Sequence, residues 1–197
     1  MQSNKNLFDR DAVETRRKRV FGKGTHALFL HEIAIDEVNE RLKDVNRTFT
    51  APLIVGWQAR YWAKLLDLNA ACISDTEVLE LAPNSFDLAI HALGMHVSND
   101  PVGQLIQIRR ALKPDGLLIV ALFAGNTLNE LRQAFAQAES DVEGGLSPRV
   151  FPFAEIKTLG GLLQRAGYAL PVADSKTIQT QYQTPTHLMR ELRAMAE

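Results

Sequence analysis

The sequence predicts an α/β fold, a mostly parallel sheet with helices on both faces, and three observations carry that prediction. Residues 117–123 (Leu-Leu-Ile-Val-Ala-Leu-Phe) are apolar without alternation, as in a strand covered on both sides. Phe86-Asp87-Leu88-Ala89-Ile90 is a second strand of the same kind, entered through the Pro83-Asn84-Ser85 turn. Between them, Val102, Leu105, Ile108 and Leu112 recur at helical spacing. Strand, one-sided helix and strand in that order call for a right-handed crossover between parallel strands.

Taken in order, residues 7–21 form a charged segment with helical tendency, and its basic cluster Arg16 to Arg19 reads as a solvated helix face. Residues 26–45 form an amphipathic helix with Leu28, Ile33, Ile35, Val38 and Leu42 near one face. After a polar connection, Leu53-Ile54-Val55 is the first strand, with Gly56 at its end. Residues 57–69 have helical spacing, and 70–73 form a short strand ending at Ser74-Asp75-Thr76.

Asp100-Pro101 is a helix start, with Asp as the N-cap and Pro in the first helical position. That helix runs over 101–112 and stops at Lys113-Pro114-Asp115-Gly116. Pro114 has no N–H to donate, and Gly116 is expected to let the chain swing into the strand at 117–123. A helix follows at 127–140, then a loop at Gly144-Gly145-Leu146-Ser147-Pro148-Arg149. A further helix spans 153–166 and is closed by Gly167. Residues 171–182 read as a late strand and 185–196 as a terminal helix.

A net charge of −1 provides no general field for nucleic acid or membrane surfaces. One cysteine, Cys72, excludes an intramolecular disulfide and a cysteine-rich metal site. No apolar run reaches the roughly 20 residues that span a bilayer, and a cytoplasmic protein is expected. The histidines His26, His31 and His187 have no metal-ligand spacing with carboxylates, so no metal site is expected.

Several strings occur together: Leu7-Phe8-Asp9-Arg10, Phe86-Asp87-Leu88, His96-Val97-Ser98-Asn99-Asp100, Leu112-Lys113-Pro114-Asp115-Gly116, Gly125-Asn126-Thr127-Leu128-Asn129-Glu130-Leu131-Arg132 and Glu143-Gly144-Gly145-Leu146-Ser147-Pro148-Arg149. With these the chain resembles the class I S-adenosylmethionine-dependent methyltransferases, and within them the methyltransferase-like assembly factors of respiratory complex I. The resemblance implies a Rossmann-like fold over residues 1–197, with a helical segment in 1–50. It also implies S-adenosylmethionine as cofactor and a complex I subunit or assembly intermediate as partner. The compartment would be the bacterial cytoplasm, or the mitochondrial matrix in a eukaryote. Some members of that group are thought to hydroxylate an arginine rather than to methylate.

Three departures from the family pattern shape the expectations. The glycine-rich turn after the first strand is here Val55-Gly56-Trp57-Gln58-Ala59-Arg60. The stretch from Gly56 to Phe86 is shorter than the family's by about one strand–helix unit. The last strand of the family, which pairs with the fifth, has no counterpart. Two alignments of the middle stay open. In one the second strand is missing and Thr76 flanks the adenine; in the other Asp75 is the acid that binds the ribose, near the usual spacing of about 20 residues from the glycine turn.

The candidate cofactor residues are Gly56, Trp57, Asp75, Thr76, His91 and Ala92, and the candidate partner contacts are Ser147 and Arg149. Each has a plainer alternative. Asp75 can be a turn aspartate, His91 and His96 core histidines, Trp57 and Trp62 packing residues, and Arg149 a solvated cation. No catalytic base can be named. Two functions follow: a methyltransferase-like enzyme whose cofactor would be S-adenosylmethionine, or a non-catalytic scaffold on the same fold that has lost cofactor binding. S-adenosylmethionine is expected to bind weakly or not at all.

Overall fold

The computed structural model describes residues 6–21 and 28–196, so His26, in the second predicted helix, lies outside the described residues. Apolar strands in a parallel sheet need cover on both faces, and the order of elements supplies it. Strands β1 (Pro52–Val55), β2 (Ala71–Ile73), β3 (Phe86–Ala92) and β4 (Leu112–Ala121) form one four-stranded sheet in the order β2-β1-β3-β4. Every pairing is parallel, with Ile54 opposite Ile90 and Ile90 opposite Ile119.

Side chains alternate across the strands and sort two cores. Ile54, Leu88, Ile90 and Ala92 meet helices α2 (Phe29–Val45) and α3 (Ala59–Leu65) through Ile35, Val38, Ala59 and Trp62. On the other face Leu53, Val55 and Ala89 pack with Ile108 of α4 (Pro101–Ala111). Leu118 and Val120 meet Leu105, Leu162 and Leu163, the last two from α6 (Ile156–Arg165). The remaining helices are α1 (Arg10–Val20), α5 (Asn129–Glu143) and α7 (Pro185–Ala194).

The α4 start matches expectation: Asp100 accepts from the Gly103 N–H at 2.8 Å and Pro101 follows it. Asp87, from the Phe-Asp-Leu motif, ties down the entrance to β1. Its carboxylate accepts the N–H of Thr50 and Ala51 and the Thr50 hydroxyl.

Several elements differ from expectation. Residues 171–182 form no strand; Arg41 pairs with Asp174 at 2.6 Å, Lys176 with Glu37, and Leu170 stands 93% exposed. Strand-forming composition yields a strand only with a ladder partner, and this stretch is fastened to α2 instead. Among the described residues β4 is therefore one edge of the sheet, with β2 the other, which explains why its apolar run is half-buried rather than covered.

That strand also begins at Leu112 and ends at Ala121, earlier than predicted at both ends. Phe86 pairs with Leu112 and Leu88 with Leu117, so Lys113 to Gly116 bulge out of register opposite Asp87. The left-handed residue in this bulge is Asp115, at φ 61°, not Gly116. Gly116 is required by contact, since a Cβ there would lie 2.9 Å from the Lys113 carbonyl oxygen.

Candidate functional site

In open α/β sheets the ligand crevice lies beyond the carboxyl ends of the strands. Here those ends carry Gly56 and Trp57 after β1, Ser74 to Thr76 after β2, and Leu93 and Gly94 after β3. The predicted residues do gather at this end of the sheet, but Gly56 and Ala92 pack on each other and Asp75 is taken up by Arg17.

Asp75 follows β2, the strand that pairs directly with β1. This is the topological place of the ribose-binding acid, so the architecture favours the second of the two alignments. Yet its carboxylate is 0% exposed. Arg17 of α1 donates to it twice, Nη1 to Oδ1 at 2.7 Å and Nη2 to Oδ2 at 3.0 Å. Arg10 stands 3.7 Å from Oδ2 and donates to the Asp75 carbonyl at 2.8 Å and to the Val97 carbonyl at 3.2 Å. Burial alone would raise the Asp75 pKa, but the two guanidinium groups hold it below the ordinary carboxylate range.

Gly56 is buried against β3, where a Cβ would come within 2.7 Å of the Ala92 carbonyl oxygen and 3.1 Å of the Ala92 Cβ. The glycine thus permits two strand ends to touch, and Ala92 is part of that contact. Trp57 stands edge-on to His31 at 5.8 Å, with the Arg17 guanidinium 6.0 Å from its ring centroid. Thr76 is exposed and its hydroxyl donates to the Val78 carbonyl.

His91 is fully buried and points to the α4 side, like Ala89 two residues earlier. Burial lowers its pKa to about 4, against the opposing charge of Asp75, so the ring is neutral at neutral pH. Both its ring nitrogens and Gln104 Oε1 lack a well-formed hydrogen bond. The Gln104 amide nitrogen instead donates to the Asp75 and Thr76 carbonyls. His96 packs against Phe123 and Phe153. Trp62, also a candidate, is core: its Nε1–H donates to His31 Nδ1 at 2.9 Å.

Arg10 and Arg17 are what sequence reasoning missed: it places Arg17 in solvent with the cluster Arg16 to Arg19 and gives Arg10 no role. The signal lay in the spacing of Arg10, Val13, Arg17 and Val20, one helical stripe in which two positions are guanidinium groups. Val13, Arg17 and Val20 are buried, whereas Arg16, Lys18 and Arg19 are exposed. The start of this segment is docked by Asn99, whose amide exchanges two hydrogen bonds with the Phe8 backbone. Glu77 in turn accepts the N–H groups of Asn99 and Asp100. A cavity of about 790 Å³ beside this junction is lined by Asn6 to Asp11, Glu77, Asn99 and Asp100, not by the predicted cofactor residues.

The predicted partner loop is held by α5. Glu139 accepts the Ser147 hydroxyl at 2.6 Å and the Ser147 N–H at 2.8 Å, and Arg149 Nε at 2.5 Å. The Ser147 hydrogen bonds, then Arg149, bring the Glu139 pKa down to about 2. A carboxylate pKa lowered by folding stabilises fully above its unfolded value of about 4.5 and loses that contribution as pH falls toward 2. Cleavage within 144–149 by an acid-stable protease should therefore accelerate between pH 4.5 and 2, and Glu139→Gln should bring the fast rate to neutral pH. Equal cleavage in both proteins at pH 7 would show that Glu139 does not hold the loop.

Among the described residues no group of three His, Cys, Asp or Glu is placed to hold a metal, and no helix is long and apolar enough to cross a membrane.

With this geometry described, the chain can be set beside known proteins. Residues 27–120 match the methyltransferase domain family. A putative methyltransferase of Rickettsia prowazekii, RP459, is 32% identical over 158 residues, covering 79% of this chain and 68% of that protein. The chain belongs to the class I methyltransferase family. Its curated relatives include the mitochondrial arginine-hydroxylase NDUFAF5 of Mus musculus, 31% identical over 220 residues, and of Homo sapiens, 32% over 219 residues. Each alignment takes in 98% of this chain and 64% of the relative, so the chain spans under two thirds of their length. Both alignments run longer than the 197 residues present, so the relatives carry extra residues inside the matched region. Among solved structures, an S-adenosylmethionine-dependent methyltransferase from Thermotoga maritima superposes with a TM-score of 0.57 at 18% identity, covering 79% of this chain and 81% of that one. That likeness shows the fold.

S-adenosylmethionine is the cofactor that goes with this family. In the arrangement described, the residues at the strand ends do not fit it: Asp75 is enclosed by Arg17, Gly56 by Ala92, and a Cβ on Gly94 would meet Asp75 Oδ2 at 2.4 Å.

Proposed function

We propose that this chain is a methyltransferase-fold assembly factor of the NDUFAF5 type, serving respiratory complex I and taking S-adenosylmethionine as its ligand. The observation that carries the ligand is Asp75 at the tip of the strand beside β1, the position from which an acid reaches ribose hydroxyls. The complex I role is supported by the similarity to NDUFAF5 across nearly the whole chain. In a eukaryote the compartment would be the mitochondrial matrix, a reading supported by the mitochondrial relatives, and in a bacterium the cytoplasm.

The partner surface in this reading is the loop 144–149. Glu139 preorganises it, which reduces the ordering cost of docking, while the Arg149 side chain is 51% exposed and Leu146 is exposed beside it. A guanidinium so placed suits a carboxylate on a protein partner.

A second reading, a scaffold that does not bind the cofactor, is favoured by the Arg17–Asp75 pair. Isothermal titration with S-adenosylhomocysteine separates the two. Weak binding that disappears in Asp75→Asn supports the first reading. Absence of heat with the wild-type chain and with every variant that opens the site supports the scaffold.

A further inference from the structure

We propose that Arg17 is an intramolecular competitor for Asp75, so that cofactor binding and docking of α1 exclude one another. The proposal rests on reading the strand ends as the cofactor site, and goes beyond that reading in assigning control of the site to the N-terminal helix.

Arg17 fills both oxygens of Asp75 in the paired geometry that a guanidinium makes with a carboxylate. A ligand presenting two hydroxyls would need those same oxygens, and the carboxylate has no exposed surface from which to accept them alongside Arg17. Arg10 reinforces the closure from about two turns earlier on the same stripe, through the Asp75 and Val97 carbonyls.

The attachment of α1 is of a kind that can be released. Its apolar anchor is small: Phe8 and Val13 against Val97 and Phe151, with Val20 buried at the far end of the helix. The rest is polar: the Asn99–Phe8 backbone exchange and the guanidinium contacts. A buried ion pair gives back in attraction about what its two charges lose in hydration, so separating it into water while a ligand takes over the carboxylate is a near-balanced exchange. The helix also carries Arg16, Lys18, Arg19 and Phe21 exposed on its outer side, where they take no part in the closure.

If the closed form dominates, the apparent affinity is reduced by the fraction of molecules that are open, and removing the competitor restores it. Two measurements test this. In the wild-type chain, addition of S-adenosylhomocysteine should make the amides of residues 10–20 exchange faster with solvent deuterium, because α1 is displaced. Unchanged or slower exchange at saturating ligand would mean that the ligand binds under a docked helix, and would overturn the proposal. This arm needs no variant and so does not depend on one folding.

In titration, Arg17→Gln should bind S-adenosylhomocysteine about tenfold more tightly than wild type, or better. Equal or weaker binding by Arg17→Gln, with measurable binding to wild type, overturns the competitor while leaving the cofactor assignment intact. No binding to either protein overturns the cofactor assignment, and the competitor with it.

Discussion

Asp75→Ala is expected to destabilise the protein by about 3–5 kcal/mol, because it leaves a buried guanidinium without its counter-charge. Arg17 is only 7% exposed, and its remaining acidic partner is Glu14, 3.1 Å away and much more open to solvent. Glu14 can soften the loss but cannot replace two hydrogen bonds to an enclosed carboxylate. A fold of this size is stable by only about 5–15 kcal/mol in total, so the change should be plain in urea unfolding. A loss below about 1 kcal/mol would be the behaviour of a surface ion pair, and would mean that α1 does not bury this contact in solution.

Trp62→Ala should be comparably severe, costing about 3–5 kcal/mol. Trp62 is fully buried at the centre of the face formed by α2 and α3, against Ile54 and Ile90 of the sheet, and among the described residues no other fully buried side chain is larger. Its removal leaves a cavity between sheet and helices and deprives His31 Nδ1 of its donor. Trp57, half-buried at the strand ends, is the control: Trp57→Ala should cost clearly less in the same unfolding experiment. The reverse order would mean that the α2–α3 face is not the packed core of the molecule.

The sheet was legible where a strand's surroundings are written in its own residues. Residues 53–55, 86–91 and most of 117–123 turn apolar side chains toward the helices packed on the sheet, and they appear as parallel strands, with 86–91 and 117–121 adjacent. Residues 171–182 mislead for the opposite reason. Val172, Thr177, Ile178 and Tyr182 suit a strand, but pairing is decided by a partner edge, and composition is blind to it. The Lys-Pro-Asp-Gly turn was legible as a break, but the left-handed position fell on Asp115, and contact rather than φ explains Gly116.

The site was half legible. Asp75 and Gly56 stand at the strand ends, as their position in the chain implied. What occupies them was hidden, because the occupant is 58 positions away in sequence and of a residue type assigned to solvent by default. A cation in an otherwise apolar helical stripe, with an acid at a strand tip elsewhere in the chain, is the pattern that would have revealed it. The partner loop was hidden in a similar way: nothing in Ser147 or Arg149 announces that Glu139, on the preceding helix, binds both.

A double-mutant cycle on Arg17 and Asp75 tests the central claim most directly, that the N-terminal helix closes the carboxyl end of the sheet chiefly through this pair. Stabilities of the wild-type chain, Arg17→Gln, Asp75→Asn and the double variant would be measured by urea unfolding. The geometry predicts a coupling of about 2–3 kcal/mol, with the double variant more stable than the sum of the single losses allows. A coupling within about 0.5 kcal/mol of zero would mean that the two residues do not meet in solution, and would contradict the account.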